Sequence, residues 1–179
     1  GVAYTASLGV NQMAAMDVRE DVLELLDVDG PQHALMQFAI SPDGSTLVAS
    51  AELGGQLLVF DLTGDPLHPV LRHTIEVNAQ PFDPIFTRDG ARVYVPSKAA
   101  DTVTVIEVAD WSVAAVIEHE GSVEPHGTVN SPDGRYLFVS SNNVGGGGHA
   151  MHMGGEPAAQ ADAHEGHDAG GHGEAPEER

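Results

Sequence analysis

From its first residue to about Val144 the chain alternates short apolar runs with turn-forming residues. Val, Leu, Ile and Phe gather in brief stretches separated by Gly, Pro, Asp and Asn, a pattern that predicts strands punctuated by turns. The turns themselves recur. Ser41-Pro42-Asp43-Gly44 returns as Thr87-Arg88-Asp89-Gly90 and as Ser131-Pro132-Asp133-Gly134, so the aspartates lie 46 and then 44 residues apart. Self-similarity at one period marks a repeat architecture. The residue types are those of a type I turn, with a hydroxyl first, Asp third and Gly last.

The residues after each turn repeat as well. Leu47-Val48-Ala49-Ser50 corresponds to Val93-Tyr94-Val95-Pro96-Ser97 and to Leu137-Phe138-Val139-Ser140, and Tyr4-Thr5-Ala6-Ser7 is an earlier copy without its turn. A third strand is expected at residues 13–17, 57–61 and 103–107, ending in Asp17, Asp61 and Glu107. These three carboxylates are expected to cap turns by accepting backbone N–H bonds. A fourth, outer strand is expected at residues 71–77 and 113–118. Asp21 to Val28 places apolar residues at 22, 25 and 26, a helical spacing. The repeat register nevertheless makes this stretch the outer strand of the first unit. Four short antiparallel strands per unit form one propeller blade.

The predicted fold class is therefore all-β: a partial β-propeller of about three blade-equivalents. The expected divisions are a partial blade over 1–29, blades over 30–77 and 78–122, and a partial blade over 123–144. That is the last three strands of one blade, two complete blades and the first two strands of a fourth. Closed propellers have more blades, so further blades are expected before Gly1 or after Arg179.

The string Pro125-His126-Gly127, then Ser131-Pro132-Asp133-Gly134-Arg135-Tyr136-Leu137-Phe138-Val139-Ser140, resembles the YVTN-type β-propeller repeat of secreted bacterial and archaeal proteins. The resemblance covers residues 1–144 and implies export to the periplasm or the cell exterior. It implies no single activity: the architecture serves binding proteins, lactonase-like enzymes, the haem d1 domain of a nitrite reductase and the propeller of nitrous oxide reductase. In nitrous oxide reductase, histidines at the propeller axis hold a copper cluster. His126 is similar in setting, just before an innermost strand, and is a candidate metal ligand. The equivalent positions of the other units are Phe82 and Met36, and His33 is out of register.

Composition changes sharply after Val144. Residues 145–179 hold no Val, Leu, Ile or aromatic residue, so they cannot bury a core and are expected to be disordered. They open on four glycines, Gly145 to Gly148, and then hold five of the ten histidines. His149, Met151, His152 and Met153 combine imidazole with thioether, a set suited to copper and especially Cu(I). His164, His167 and His172, with Glu165 and Asp168 between them, form a looser chelator for zinc or copper. Two readings fit this segment: capture of transition metal, or a solvated linker in which the histidines are incidental.

Charge narrows the partners. With 27 acidic and 7 basic residues the formal net charge is −20, which repels phosphate backbones and anionic lipid, so neither nucleic acid nor membrane insertion is expected. Cations are the natural small partners, beside an unknown protein or small-molecule ligand at the propeller face. With no cysteine there is no thiolate site or thiol nucleophile. No Gly-x-Ser-x-Gly elbow and no His-Glu-x-x-His is present. The residues thus favour a non-enzymatic binding scaffold with a metal-capturing segment. The alternative is a piece of a propeller enzyme, copper-dependent or lactonase-like.

Overall fold

In each repeat the hydroxyl–Asp–Gly turn is built by one set of bonds. Ser41 Oγ donates to Asp43 Oδ1 at 2.6 Å, and Thr87 to Asp89 and Ser131 to Asp133 do the same at the same distance. The same carboxylate oxygen accepts the N–H of Ser45, Ala91 or Arg135. Gly44, Gly90 and Gly134 donate back to residue i of their turns and have φ of 76°, 72° and 71°. That left-handed conformation costs glycine nothing. Space is not what demands glycine: a Cβ at Gly44 would meet nothing, and one at Gly90 or Gly134 would make ordinary contact with Pro42 or Arg88 of the preceding repeat's turn at 3.5 Å.

The computed structural model describes residues 1–7, 9–30 and 33–142. His149, Met151, His152, Met153, His164, His167 and His172 lie outside the described residues. Among the described residues thirteen strands make four antiparallel sheets. The first is β1 (Val2–Ala6), β2 (Gln12–Asp17) and β3 (Val22–Asp27). The second is β4 (Leu35–Ile40), β5 (Thr46–Ala51), β6 (Gln56–Asp61) and β7 (Val70–Glu76). The third is β8 (Ile85–Phe86), β9 (Arg92–Ser97), β10 (Thr102–Glu107) and β11 (Ser112–Glu118). The last is β12 (Pro125–Asn130) with β13 (Leu137–Ser141). This is the 3-4-4-2 succession expected of a partial propeller, and strand order within each sheet follows chain order.

The stretch with helical spacing is a strand. β3 pairs along its length with β2, from Gln12 opposite Asp27 to Asp17 opposite Val22, and Gln12 Nε2 donates to Asp27 Oδ1 at 2.8 Å. The open edge of β2 offers six residues a ladder, which outweighs a small helix propensity over so short a run.

Neighbouring sheets pack face to face because their strands alternate. In β5 and β6, Leu47, Ala49, Leu58 and Phe60 turn one way and join Met13, Val28 and Leu35 in one core. Val48, Leu57 and Val59 turn the other way and join Phe86, Val93, Val95 and Ile106 in a second. Strands that are apolar on both faces need an apolar layer on each side, and here a neighbouring sheet supplies each one. The inner strands β1, β4 and β8 come close to one another in succession, and β12 lies against β9. Among the described residues no helix is long and apolar enough to cross a membrane.

Candidate functional site

Ahead of the inner strands β4, β8 and β12 lies a feature that sequence reasoning missed. Ala34, Gln80 and Glu124 occupy the same place in three repeats, and each is left-handed, with φ of 50°, 55° and 48°. Such a backbone costs a non-glycine residue about 1–3 kcal/mol and persists only where its surroundings impose it. The repeat supplies that restraint: the carbonyls of Ala34, Gln80 and Glu124 accept the N–H of Glu52, Lys98 and Asn142, at 3.1, 2.8 and 3.2 Å.

The ladder slips immediately afterwards. Leu35 pairs with Ala51 but Phe38 with Ala49, and Pro125 pairs with Ser141 but Thr128 with Val139, so Met36-Gln37 and His126-Gly127 bulge out of β4 and β12. A serine braces each bulge. Ser50 Oγ accepts the N–H of Gln37 at 3.2 Å, and Ser140 Oγ accepts that of Gly127 at 3.0 Å. In the third sheet Pro96 takes the serine's place. There Pro81 bridges to Ser97 and the ladder resumes only at Ile85, opposite Tyr94, leaving Phe82, Asp83 and Pro84 between. Bulges re-aim side chains beside functional sites. The three residues re-aimed at one place are Met36, Phe82 and His126.

His126 is half-buried and lies against Phe82, ring centroids 3.8 Å apart at 39°. Its neighbour Asp83 is committed to structure: Oδ2 accepts the Thr128 N–H at 2.9 Å, and its carbonyl accepts the Thr128 hydroxyl at 2.9 Å. Asn130 donates to the Phe86 carbonyl at 2.8 Å, so the last two sheets are tied together along β12. Among the described residues no three His, Asp or Glu side chains converge as a metal site. The three re-aimed side chains are a thioether, a phenyl ring and an imidazole, of which the phenyl ring and the imidazole touch. Near the other ends of the inner strands lies a shallow groove of about 400 Å³ lined by Ile40, Ile85, Phe86, Arg88 and Asn130.

The other histidines serve local structure. His33 is buried, its N–H donating to Asn11 Oδ1 at 2.6 Å and its Nε2 lying 3.2 Å from the Asp29 carbonyl. His68 Nδ1 sits 2.8 Å from Asp65 Oδ2, which raises the imidazole pKa. His73 stacks on Trp111, and His119 Nδ1 accepts the Gly121 N–H. Of the repeat carboxylates, Asp17 and Asp61 cap turns, accepting the N–H of Arg19 and of Thr63. Glu107 does not. It receives Arg92 Nε at 2.7 Å, and Asp110 makes the cap instead, accepting the Ser112 N–H and hydroxyl.

No protein-family model and no curated protein matches the chain. Its fold is found in solved structures. It is similar to a chain of hydrazine synthase from Kuenenia stuttgartiensis, 27% identical with TM-score 0.56, over 65% of this chain and 31% of that one. It is similar to a periplasmic gluconolactonase from Pseudomonas aeruginosa, 18% identical with TM-score 0.64, over 76% and 42% of the two chains. It is similar to virginiamycin B lyase from Staphylococcus aureus, 12% identical with TM-score 0.67, over 79% and 46%. The chain spans less than half the length of each of these structures. Such likenesses, together with the succession of sheets, define the chain as a β-propeller-type protein.

Proposed function

We propose that this chain is part of an exported, YVTN-type β-propeller that acts as a binding scaffold and captures copper or zinc through residues 145–179. The observation that supports a scaffold is the repeated bulge. A left-handed residue followed by a slipped ladder, at the same place in three repeats, presents three different side chains, Met36, Phe82 and His126. A catalytic apparatus needs paired acid and base groups in reach of one substrate atom. A binding face needs only varied chemistry held still.

Metal capture rests on the residue types of the segment: His149, Met151, His152 and Met153 for Cu(I), with His164, His167 and His172 for zinc or Cu(II). His126 is the one candidate ligand on the propeller itself. Export rests on the YVTN resemblance and on the periplasmic gluconolactonase among the similar structures. The test is titration of Cu(I) and Zn²⁺ against the full chain and against a variant with His149, Met151, His152 and Met153 all replaced by Ser. Stoichiometric Cu(I) uptake that falls in the variant is the expected result; equal uptake by both chains refutes the segment's role.

A second reading, a lactonase, is favoured by the same gluconolactonase likeness. It predicts hydrolysis of gluconolactone above the buffer rate, reduced in His126→Ala. No acceleration by the full chain excludes it for this polypeptide.

A further inference from the structure

β13 delivers the backbone to the place where His126 sits. Ser141, its last residue, pairs with Pro125, and the Asn142 N–H donates to the Glu124 carbonyl at 3.2 Å, so the last described residue is tied beside the Pro125-His126 step. From there the sequence runs through six residues, Asn143, Val144 and the four glycines, to His149. A glycine-rich spacer of that length has a root-mean-square reach of about 15 Å. Paired residues of antiparallel strands lie only about 5 Å apart. His149, Met151, His152 and Met153 are thereby tethered within reach of His126.

His126 is free to take a ligand. Among the described residues its ring makes no hydrogen bond and lies on Phe82, with the centroids 3.8 Å apart. The rings of His33, His68 and His119 are each engaged in a polar contact, and His73, on the outer strand β7, stacks on Trp111. The neighbouring carboxylate of Asp83 is taken by Thr128, and no three metal-ligating groups converge among the described residues, so His126 needs donors from elsewhere. Tethering makes its recruitment intramolecular, at an effective concentration of the order of millimolar for a short flexible linker. That concentration falls roughly as the −3/2 power of linker length, so His164, beyond residues 143–163, is about sixfold worse placed than His149. An aromatic neighbour such as Phe82 excludes water from one side of the ring, a setting that favours a weakly hydrated ion.

Resting on the reading of residues 145–179 as a metal-capturing segment, we propose that His126 and the run His149 to Met153 hold one Cu(I) between them, seated against the propeller at the start of β12. Imidazole and thioether are donors that suit Cu(I). The propeller contributes one fixed ligand and the segment supplies the others.

The test is competition for Cu(I) against a chromogenic chelator at pH 7, under reducing and oxygen-free conditions, using the full chain throughout. The proteins compared are the parent chain, His126→Ala, the parent with about eighteen Gly and Ser residues inserted after Gly148, and the two changes combined. His126→Ala should weaken Cu(I) binding about tenfold. The insertion lowers the effective concentration of the ring about eightfold, so it should weaken binding about fivefold in the parent and leave His126→Ala unchanged. Modification by diethylpyrocarbonate, located by mass spectrometry, should fall at His126 when Cu(I) is added and stay the same at the exposed His68. The insertion leaves residues 1–142 as they are, so its effect in the parent does not depend on whether His126→Ala folds. Cu(I) binding that neither change weakens overturns the shared site while the segment's own capture stands. An insertion that acts equally in both backgrounds also overturns it, since the spacer then works without His126. A parent chain that takes up no Cu(I) refutes the segment reading itself, and the shared site with it.

Discussion

Asp43, Asp89 and Asp133 each hold a turn by accepting a hydroxyl and a backbone N–H, and the consequence is an acid-sensitive fold. Those bonds go to the ionised carboxylate. They lower the pKa of Asp89 and Asp133 and bring Asp43 down to about 2, with the Ser41 hydroxyl the largest cause. Asp61 is likewise lowered to about 2, chiefly by Thr63. A carboxylate whose folded pKa lies below its unfolded value adds stability that is fully present above about pH 4 and is lost as the pH falls through the folded value. The melting temperature should therefore hold or rise slightly from pH 7 to about 5, as His68 gains its proton beside Asp65, and then fall towards about pH 2. Replacing Asp43, Asp89 and Asp133 by Asn should flatten that fall; an unchanged acid limb would show that other groups carry it. These aspartates were legible in the sequence because a tight turn admits few residues. The role of Asp110 was not, since only the fold shows that Glu107 is drawn away to Arg92.

At the scale of the element, the braced bulge sets the register of the inner strands, and its two serines differ in burial. Ser50 is fully buried while Ser140 is exposed. Ser50→Ala strands the Gln37 N–H away from water and should cost about 1–3 kcal/mol in urea denaturation, against under about 1 kcal/mol for Ser140→Ala, where water replaces the hydroxyl. Equal losses would contradict the brace. Filling of the cores is expected to weigh more: Leu47→Ala, in the first core, should cost about 2–5 kcal/mol. Strands with apolar residues on both faces, such as β5, β6 and β10, were legible because a central blade leaves no polar side. β3 was ambiguous because its apolar spacing suits a helix and only the repeat register decides. The bulges were illegible: nothing in Met36-Gln37 or His126-Gly127 announces a slipped ladder, although Ser50 and Ser140 recurring at one repeat position was a usable sign.

For the molecule as a whole, a stack of sheets is joined in sequence to a segment of wholly different composition, and on the proposed reading the two divide the work. The sheets fix side chains in place at the starts of β4, β8 and β12, where His126 has Phe82 for its aromatic neighbour. If His126 contributes to ligand binding through that contact, Phe82→Ala and His126→Ala should weaken the ligand together, and a double variant should be no worse than the poorer single one. The propeller was read from a turn that recurs every 44 to 46 residues, which is far more specific than any single strand. The ligand was not legible, because the fold is shared by many activities and the inner positions Met36, Phe82 and His126 have no chemistry in common.

The central functional claim, a soft-metal trap in residues 145–179, is tested most directly by the pH dependence of metal uptake by the full chain. Imidazole protonates near pH 6–7 and thioether sulfur does not, so zinc held by His164, His167 and His172 should be released below about pH 6 while Cu(I) shared with Met151 and Met153 is partly retained. Titrations at pH 7 and pH 5 in which zinc is lost and Cu(I) persists are the predicted result. Loss of both metals alike at pH 5, or no uptake of either at pH 7, would contradict it.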